Sequence, residues 1–137
     1  MIKAVAHICI STKDLDATEK FYCSGLGLTK KFNFIRNNET AGYYLQINEN
    51  NYIEVFLTDT LSSEKEPQIK HFCLEVDDID KAIEKIREYG IDITDKKKGC
   101  DKSWQAWLTD PNGIKIELHE YTKDSCQVLG NDCVIDF

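Results

Sequence analysis

The stretch KHFCLEVDDID, Lys70–Asp80, decides the fold. His71, Cys73 and Glu75 alternate with Phe72, Leu74 and Val76, the period-two pattern of a strand with one apolar and one polar face. Asp77-Asp78 then offers a helix N-cap, and Ile79, Ala82, Ile83 and Ile86 follow at the three- and four-residue spacing of one helical face. Gly90 supplies a left-handed stop. The stretch therefore predicts a strand, a tight cap and a helix.

The same pattern stands near the N-terminus. There His7, Cys9 and Ser11 alternate with Ala6, Ile8 and Ile10, and Asp14 precedes Leu15, Thr18, Phe21 and Tyr22. At one constant offset His7 falls on His71, Cys9 on Cys73, Ile10 on Leu74 and Asp14 on Asp78. Tyr52-Ile53-Glu54-Val55 falls on Lys115-Ile116-Glu117-Leu118 at an offset one residue shorter, so the chain is a duplication of a unit of nearly constant length. Each half carries one His near its start and one Glu near its end.

The rest of the first unit reads as a strand over 3–11, a helix over 14–24 broken by Gly25 and Gly27, and strands over 32–35, 42–47 and 52–57 separated by polar turns. Residues 58–68 are polar, contain Pro67 and read as a linker. The second unit, 69–121, adds a brief strand at 91–94, a charged loop over 96–102 and a strand over 103–109 carrying Trp104 and Trp107. Asp110-Pro111-Asn112-Gly113 is a turn that returns the chain into a strand over 114–121. The tail, 122–137, has no clear period, although Val134, Ile135 and Phe137 suggest that it docks. The expected fold is α+β, one domain over 1–137 built from two βαβββ modules at about 3–57 and 69–121. A module of this size with one apolar sheet face cannot bury that face alone, so the modules are expected to pair.

Composition narrows the class. The chain has 137 residues, 42% of them hydrophobic and 30% charged, with a net charge of −7, which opposes nucleic acid or anionic lipid as a partner. The Lys96-Lys97-Lys98 cluster reads as a solvated loop. No apolar run approaches the roughly 18 residues of a membrane span. The N-terminus enters a strand without a leader, which predicts a cytoplasmic protein. The six cysteines include no Cys-x-x-Cys, against a thiolate zinc site or a thioredoxin-like pair. Cys9 and Cys73 read as pocket-lining or core residues, and disulfides are not expected in a reducing compartment.

His7, Glu54, His71 and Glu117 together make a metal hypothesis. A single His on a strand is commonly an ordinary polar residue, but four candidates related by one repeat operation are hard to obtain by chance. Imidazole and carboxylate suit Zn²⁺, Ni²⁺, Fe²⁺ or Mn²⁺, whereas Mg²⁺ prefers all-oxygen sites. Glu54 amid Tyr52 and Phe56 calls for a cation partner, because a buried unpaired carboxylate is costly. His119 and Glu75 share the relevant faces but have no repeat partner, Phe56 and Ser11 standing there, and they are read as outside the ligand set. If the hairpin pairs 107 with 117, Trp107 lies beside Glu117 and shapes the pocket; otherwise Trp104 does, and either indole could equally be plain core.

With these residues in place the chain resembles the vicinal oxygen chelate superfamily, which includes glyoxalase I, extradiol dioxygenases, methylmalonyl-CoA epimerase and the fosfomycin and bleomycin resistance proteins. The resemblance covers about 3–121 and rests most on HFCLEVDDIDKAIEKIREYG and WLTDPNGIKIEL. It implies paired βαβββ modules whose mixed sheets curl into a cup around one divalent metal, and a homodimer with sites between modules of different subunits. The set His7, Glu54, His71 and Glu117 is most similar to bacterial glyoxalase I (lactoylglutathione lyase), often nickel-dependent. Dioxygenases and fosfomycin resistance enzymes use only two His and one Glu, epimerases usually carry Gln at the position of Glu54, and bleomycin-binding members lack the metal residues.

The resemblance implies isomerisation of a 2-oxoaldehyde–thiol hemithioacetal to a 2-hydroxyacyl thioester through a metal-bound enediolate, with Glu117 as the base and Glu54 as its pseudo-symmetric counterpart. Ni²⁺ or Zn²⁺ is the expected cofactor, Fe²⁺ or Mn²⁺ the alternatives. Bacterial glyoxalase I proteins place Arg four residues after the first His and Asn four residues after the first Glu to hold glutathione; here Ser11 and Thr58 stand there, so the thiol is left open. A small-molecule binding or resistance protein and a non-haem iron dioxygenase are the alternative functions.

Overall fold

The computed structural model describes residues 5, 7–61, 69, 71–130 and 132–135. The chain divides into two compact units, Met1–Lys65 and Glu66–Phe137. Most of the expected linker and the first residues of the first expected strand lie outside the described residues.

In the first unit the strands are β1 (His7–Thr12), β2 (Thr29–Arg36), β3 (Glu39–Gln46) and β4 (Tyr52–Leu57), in the order β1-β4-β3-β2. β1 runs parallel to β4 and the other pairs are antiparallel, so the sheet is mixed. Alternation decides which side is core: Ile53 and Val55 of β4 and Leu45 of β3 are wholly buried, while Tyr52, Glu54 and Phe56 are half-buried on the opposite face. Gly42 stands in register between Phe34 of β2 and Phe56 of β4. A side chain there would fall on the Val55 carbonyl, and without one the two rings stack, their centroids 4.6 Å apart.

Helix α1 (Leu15–Glu19) begins where Asp14 accepts the Ala17 N–H at 2.9 Å. Tyr43 of β3 donates its hydroxyl to the Leu15 carbonyl at 2.8 Å, fixing the helix over the sheet. The helix then widens into a π-helical segment, Lys20–Gly25, where the sequence predicts one continuous helix to 24. Both Phe21 and Tyr22, although adjacent, are buried there.

The second unit repeats the connectivity. Its strands β5 (Phe72–Glu75), β6 (Lys97–Lys98), β7 (Trp104–Thr109) and β8 (Lys115–Glu120) lie in the order β5-β8-β7-β6, again with only the first pair parallel. Helix α2 (Ile79–Glu88) buries Ile79, Ile83 and Ile86 and packs on β7 and β8. Its first turn is tied to the sheet by Glu120, which accepts the Ile79 N–H at 2.7 Å, and Gly90 closes it at φ +72°.

The expected strand at 91–94 is corrected to a single bridge between Ile93 and Leu108, and the edge strand forms instead at Lys97–Lys98, within the expected charged loop. Two forces favour this. The Ile93 carbonyl is already taken by the Arg87 guanidinium at 3.0 Å. Lys96 and Lys98 both sit over the Trp104 ring, 4.8 and 5.4 Å from its centroid, and hold the 97–98 segment against β7. In the tail a short helix α3 (Cys126–Leu129) forms, anchored by Gln127, which donates to Asp101 at 2.6 Å, and by Cys126 N–H on the Asp101 carbonyl at 2.9 Å. Among the described residues every cysteine is free, although Cys133 donates to Cys100 with the sulfurs 3.5 Å apart.

The α2 cap carries a pH dependence. Asp78 accepts the Lys81 N–H at 3.0 Å, and this bond holds its carboxyl below the ordinary 3.8. A depressed folded value means the contribution is present above that ordinary value and is lost as pH falls through the folded one. Asn caps as well as Asp but does not titrate. Between pH ~7 and ~3 the melting temperature of the wild type should therefore fall relative to that of Asp78→Asn. Parallel melting curves would contradict this.

Candidate metal centre

In the first unit, pairing brings His7 and Glu54 together on one face. Cys9 and Tyr44 both stand opposite Glu54, and His7 lies one pleat earlier, opposite Tyr52. His7 Nε2 is 3.4 Å from Glu54 Oε2. Tyr44 meets the other ring nitrogen, Nδ1, at 3.2 Å and its ring edge packs on the imidazole, which orients Nε2 toward Glu54. Around them Phe32, Tyr44 and Tyr52 form one stack and Phe34 and Phe56 another, the two meeting edge-to-face. Burial raises the Cys9 thiol above its usual range, and the neighbouring Glu54 carboxylate adds to the effect.

The second unit carries the equivalent pair. Cys73 and Trp107 stand opposite Glu117 from the two sides, and His71 precedes β5 by one residue. His71 Nε2 is 3.2 Å from Glu117 Oε2, and Trp107 packs edge-on against His71 with centroids 4.8 Å apart. Trp104 is in register with Glu120 and lies under Lys96 and Lys98. Of the two tryptophans it is therefore Trp107 that pairs with Glu117.

The two carboxylates differ in exposure. Glu117 is 8% exposed, its side chain pressed between two imidazoles, since His119 Nε2 lies 2.9 Å from Oε1 on the side away from His71. His119 is equally buried, and among the described residues neither ring nitrogen makes a hydrogen bond, the 2.9 Å approach of Nε2 to Oε1 being an ion-pair contact. The repeat alone leaves His119 outside the ligand set, and the structure places it against Glu117. The available signal was the two-residue step from Glu117, which puts both on one face of β8. Tyr44 was likewise not singled out, though the alternation of β3 was readable.

These donors can be tested against a divalent ion without placing one. Ligands at ~2.1 Å from a metal and at right angles to each other are ~3.0 Å apart. The His7–Glu54 and His71–Glu117 separations of 3.4 and 3.2 Å are close to that value, so each pair fits two adjacent coordination positions with little movement. Charge points the same way: a carboxylate as buried as Glu117 needs a cation, and the groups beside it are imidazoles or a thiol.

Comparison with known proteins agrees with the duplicated fold. A probable lactoylglutathione lyase of Synechocystis is 32% identical over 122 residues, covering 82% of this chain and 91% of that protein. A probable chloroplastic lactoylglutathione lyase of Arabidopsis thaliana is 28% identical over 93% of this chain, which spans only 39% of the plant protein's length. A glyoxalase family protein of Enterococcus faecalis has the same fold, with a TM-score of 0.75 at 24% identity over 86% of this chain and 98% of that one. No described helix is long and apolar enough to cross a membrane. The sequence profile that spans both βαβββ units, residues 4–118, is that of the Glyoxalase/Bleomycin resistance protein/Dioxygenase superfamily, and the chain belongs to that superfamily.

Proposed function

We propose that the protein is a divalent-metal-dependent isomerase of glyoxalase I type, with His7, Glu54, His71 and Glu117 holding the ion. The observation that carries this reading is the repetition of one His–Glu pair in each unit at 3.4 and 3.2 Å. Position 54 decides among branches of the family, since a Glu there completes a four-residue set. When bound, a divalent ion supplies Lewis-acid polarisation of two adjacent oxygens and acidifies the intervening C–H. Ni²⁺ or Zn²⁺ is favoured by the nitrogen and oxygen donors.

Glu117 serves as the base that takes the proton from one carbon and returns it to the next. Its burial between imidazoles keeps water from competing for the proton. Glu54, half-exposed and held by His7, is the counterpart on the other unit. Trp107, packed on His71, supplies an apolar wall. The substrate is a hemithioacetal of a 2-oxoaldehyde, and its thiol need not be glutathione, because Ser11 and Thr58 offer no cationic or amide group and the Thr58 hydroxyl is already donated to Thr60. A homodimer that joins units of different subunits around the ion accompanies this reading.

Elemental analysis with Ni²⁺ and Zn²⁺ titrations of the wild type and Glu54→Gln tests the site. Loss of partners that merely orient a ligand costs 10–100-fold in affinity, so loss of a ligand should weaken binding at least about tenfold. The loaded protein should then turn over 2-oxoaldehyde adducts of small thiols. If no metal is taken up, the second reading replaces this one: a binding protein whose stacked rings on the first sheet accept a planar ligand, with binding that survives chelation.

A further inference from the structure

Cys73, Glu117 and His119 offer one sulfur, one oxygen and one nitrogen, all within 4.8 Å of one another. They arise from adjacent strands, Cys73 being the register partner of Glu117 across the β5–β8 pair, with His119 one pleat further along β8. We infer that these three residues form a metal position of their own, on the His119 side of Glu117 and selective for a thiophilic divalent ion such as Zn²⁺ or Co²⁺.

Three observations carry this. His119 is 8% exposed, and among the described residues Nδ1 has no hydrogen-bond partner while Nε2 has only the 2.9 Å approach to Glu117 Oε1, an arrangement that costs free energy unless an electron-pair acceptor or a donor meets the ring. The two oxygens of Glu117 are divided: Oε2 faces His71 at 3.2 Å and Oε1 faces His119 at 2.9 Å, so an ion at His119 can use the oxygen that the His71 pair does not. Finally, the donors suit the ion. Tetrahedral zinc with ligands at 2.0–2.3 Å sets them ~3.5 Å apart, within reach of a cluster that spans 4.8 Å once the sulfur or the ring moves by about 1 Å. A thiolate distinguishes this position from the His7, Glu54, His71 and Glu117 set, which has only nitrogen and oxygen. The triad shares Glu117 with that set but needs none of its first-unit residues, His7 and Glu54.

Cobalt is the probe. On titration with Co²⁺ the wild type should develop a near-ultraviolet thiolate-to-cobalt charge-transfer band and a visible band of tetrahedral intensity. Cys73→Ser should abolish the charge-transfer band, His119→Gln should weaken Co²⁺ binding at least about tenfold, and Zn²⁺ should displace the cobalt. His7→Ala and Glu54→Gln should leave the band in place. Cys73 is exposed, so its serine variant is expected to fold, and far-ultraviolet circular dichroism checks both variants. A wild type with no thiolate band, or a band that survives Cys73→Ser and so comes from another cysteine, would overturn the assignment. Loss in Glu54→Gln of the metal equivalent that gives no thiolate band, with the thiolate band intact, would support the four-residue set and this triad separately, and retention of both equivalents there would count against the four-residue set alone.

Discussion

Glu117→Gln should reduce turnover of a 2-oxoaldehyde hemithioacetal by about 10²–10⁴-fold, the contribution of a positioned general base. The amide is nearly the same size and can still accept from His71 or His119, so the strand and its packing are expected to survive. It cannot take a proton at neutral pH. It is also a weaker ligand, and metal affinity should fall with activity, so the comparison is made at saturating metal and shown by circular dichroism to concern a folded protein. Turnover within about twofold of the wild type would remove Glu117 from the base role. Glu54→Gln, which alters the more exposed of the two carboxylates, then becomes the variant that reports whether proton transfer belongs to the first unit.

Ile116→Ala should have the largest effect on stability. Ile116 is fully buried on the core face of β8, in register with Phe72 on one side and Leu108 on the other. Its truncation removes apolar contact and leaves a cavity that a close-packed sheet does not fill, at a cost of about 2–5 kcal/mol. In a chain of this size that lowers the melting temperature by roughly 10 °C. Activity of the fraction still folded should change much less, because Glu117 projects from the opposite face of the strand. A shift of only about 1–2 °C in the melting curve would show that the site collapses around the smaller side chain.

Much of this architecture could be read without coordinates. Period-two alternation, an Asp cap, a three-and-four apolar spacing and a glycine stop are each set by bonds within a few residues, so they reveal β1, β5, α2 and the closing hairpin directly. The duplication brings the His7–Glu54 and His71–Glu117 pairs into view because a repeated fold must put equivalent positions on equivalent strands. The family match over 4–118 accords with the α+β fold class read from the sequence.

Tertiary structure decided what depends on register and on neighbours distant in sequence. The edge strand forms at Lys97–Lys98, not at 91–94, because Trp104 draws lysines onto its ring and Arg87 occupies the Ile93 carbonyl. Tyr44 reaches His7 only because β3 pairs with β4 so that 44 stands opposite 54. His119 has no counterpart in the first unit, where Phe56 stands, so the repeat argument passes over it. Its place at Glu117 follows from the pleat of β8 and from burial that sets its Nε2 against the Glu117 carboxylate, a property of packing that no local pattern of residues encodes.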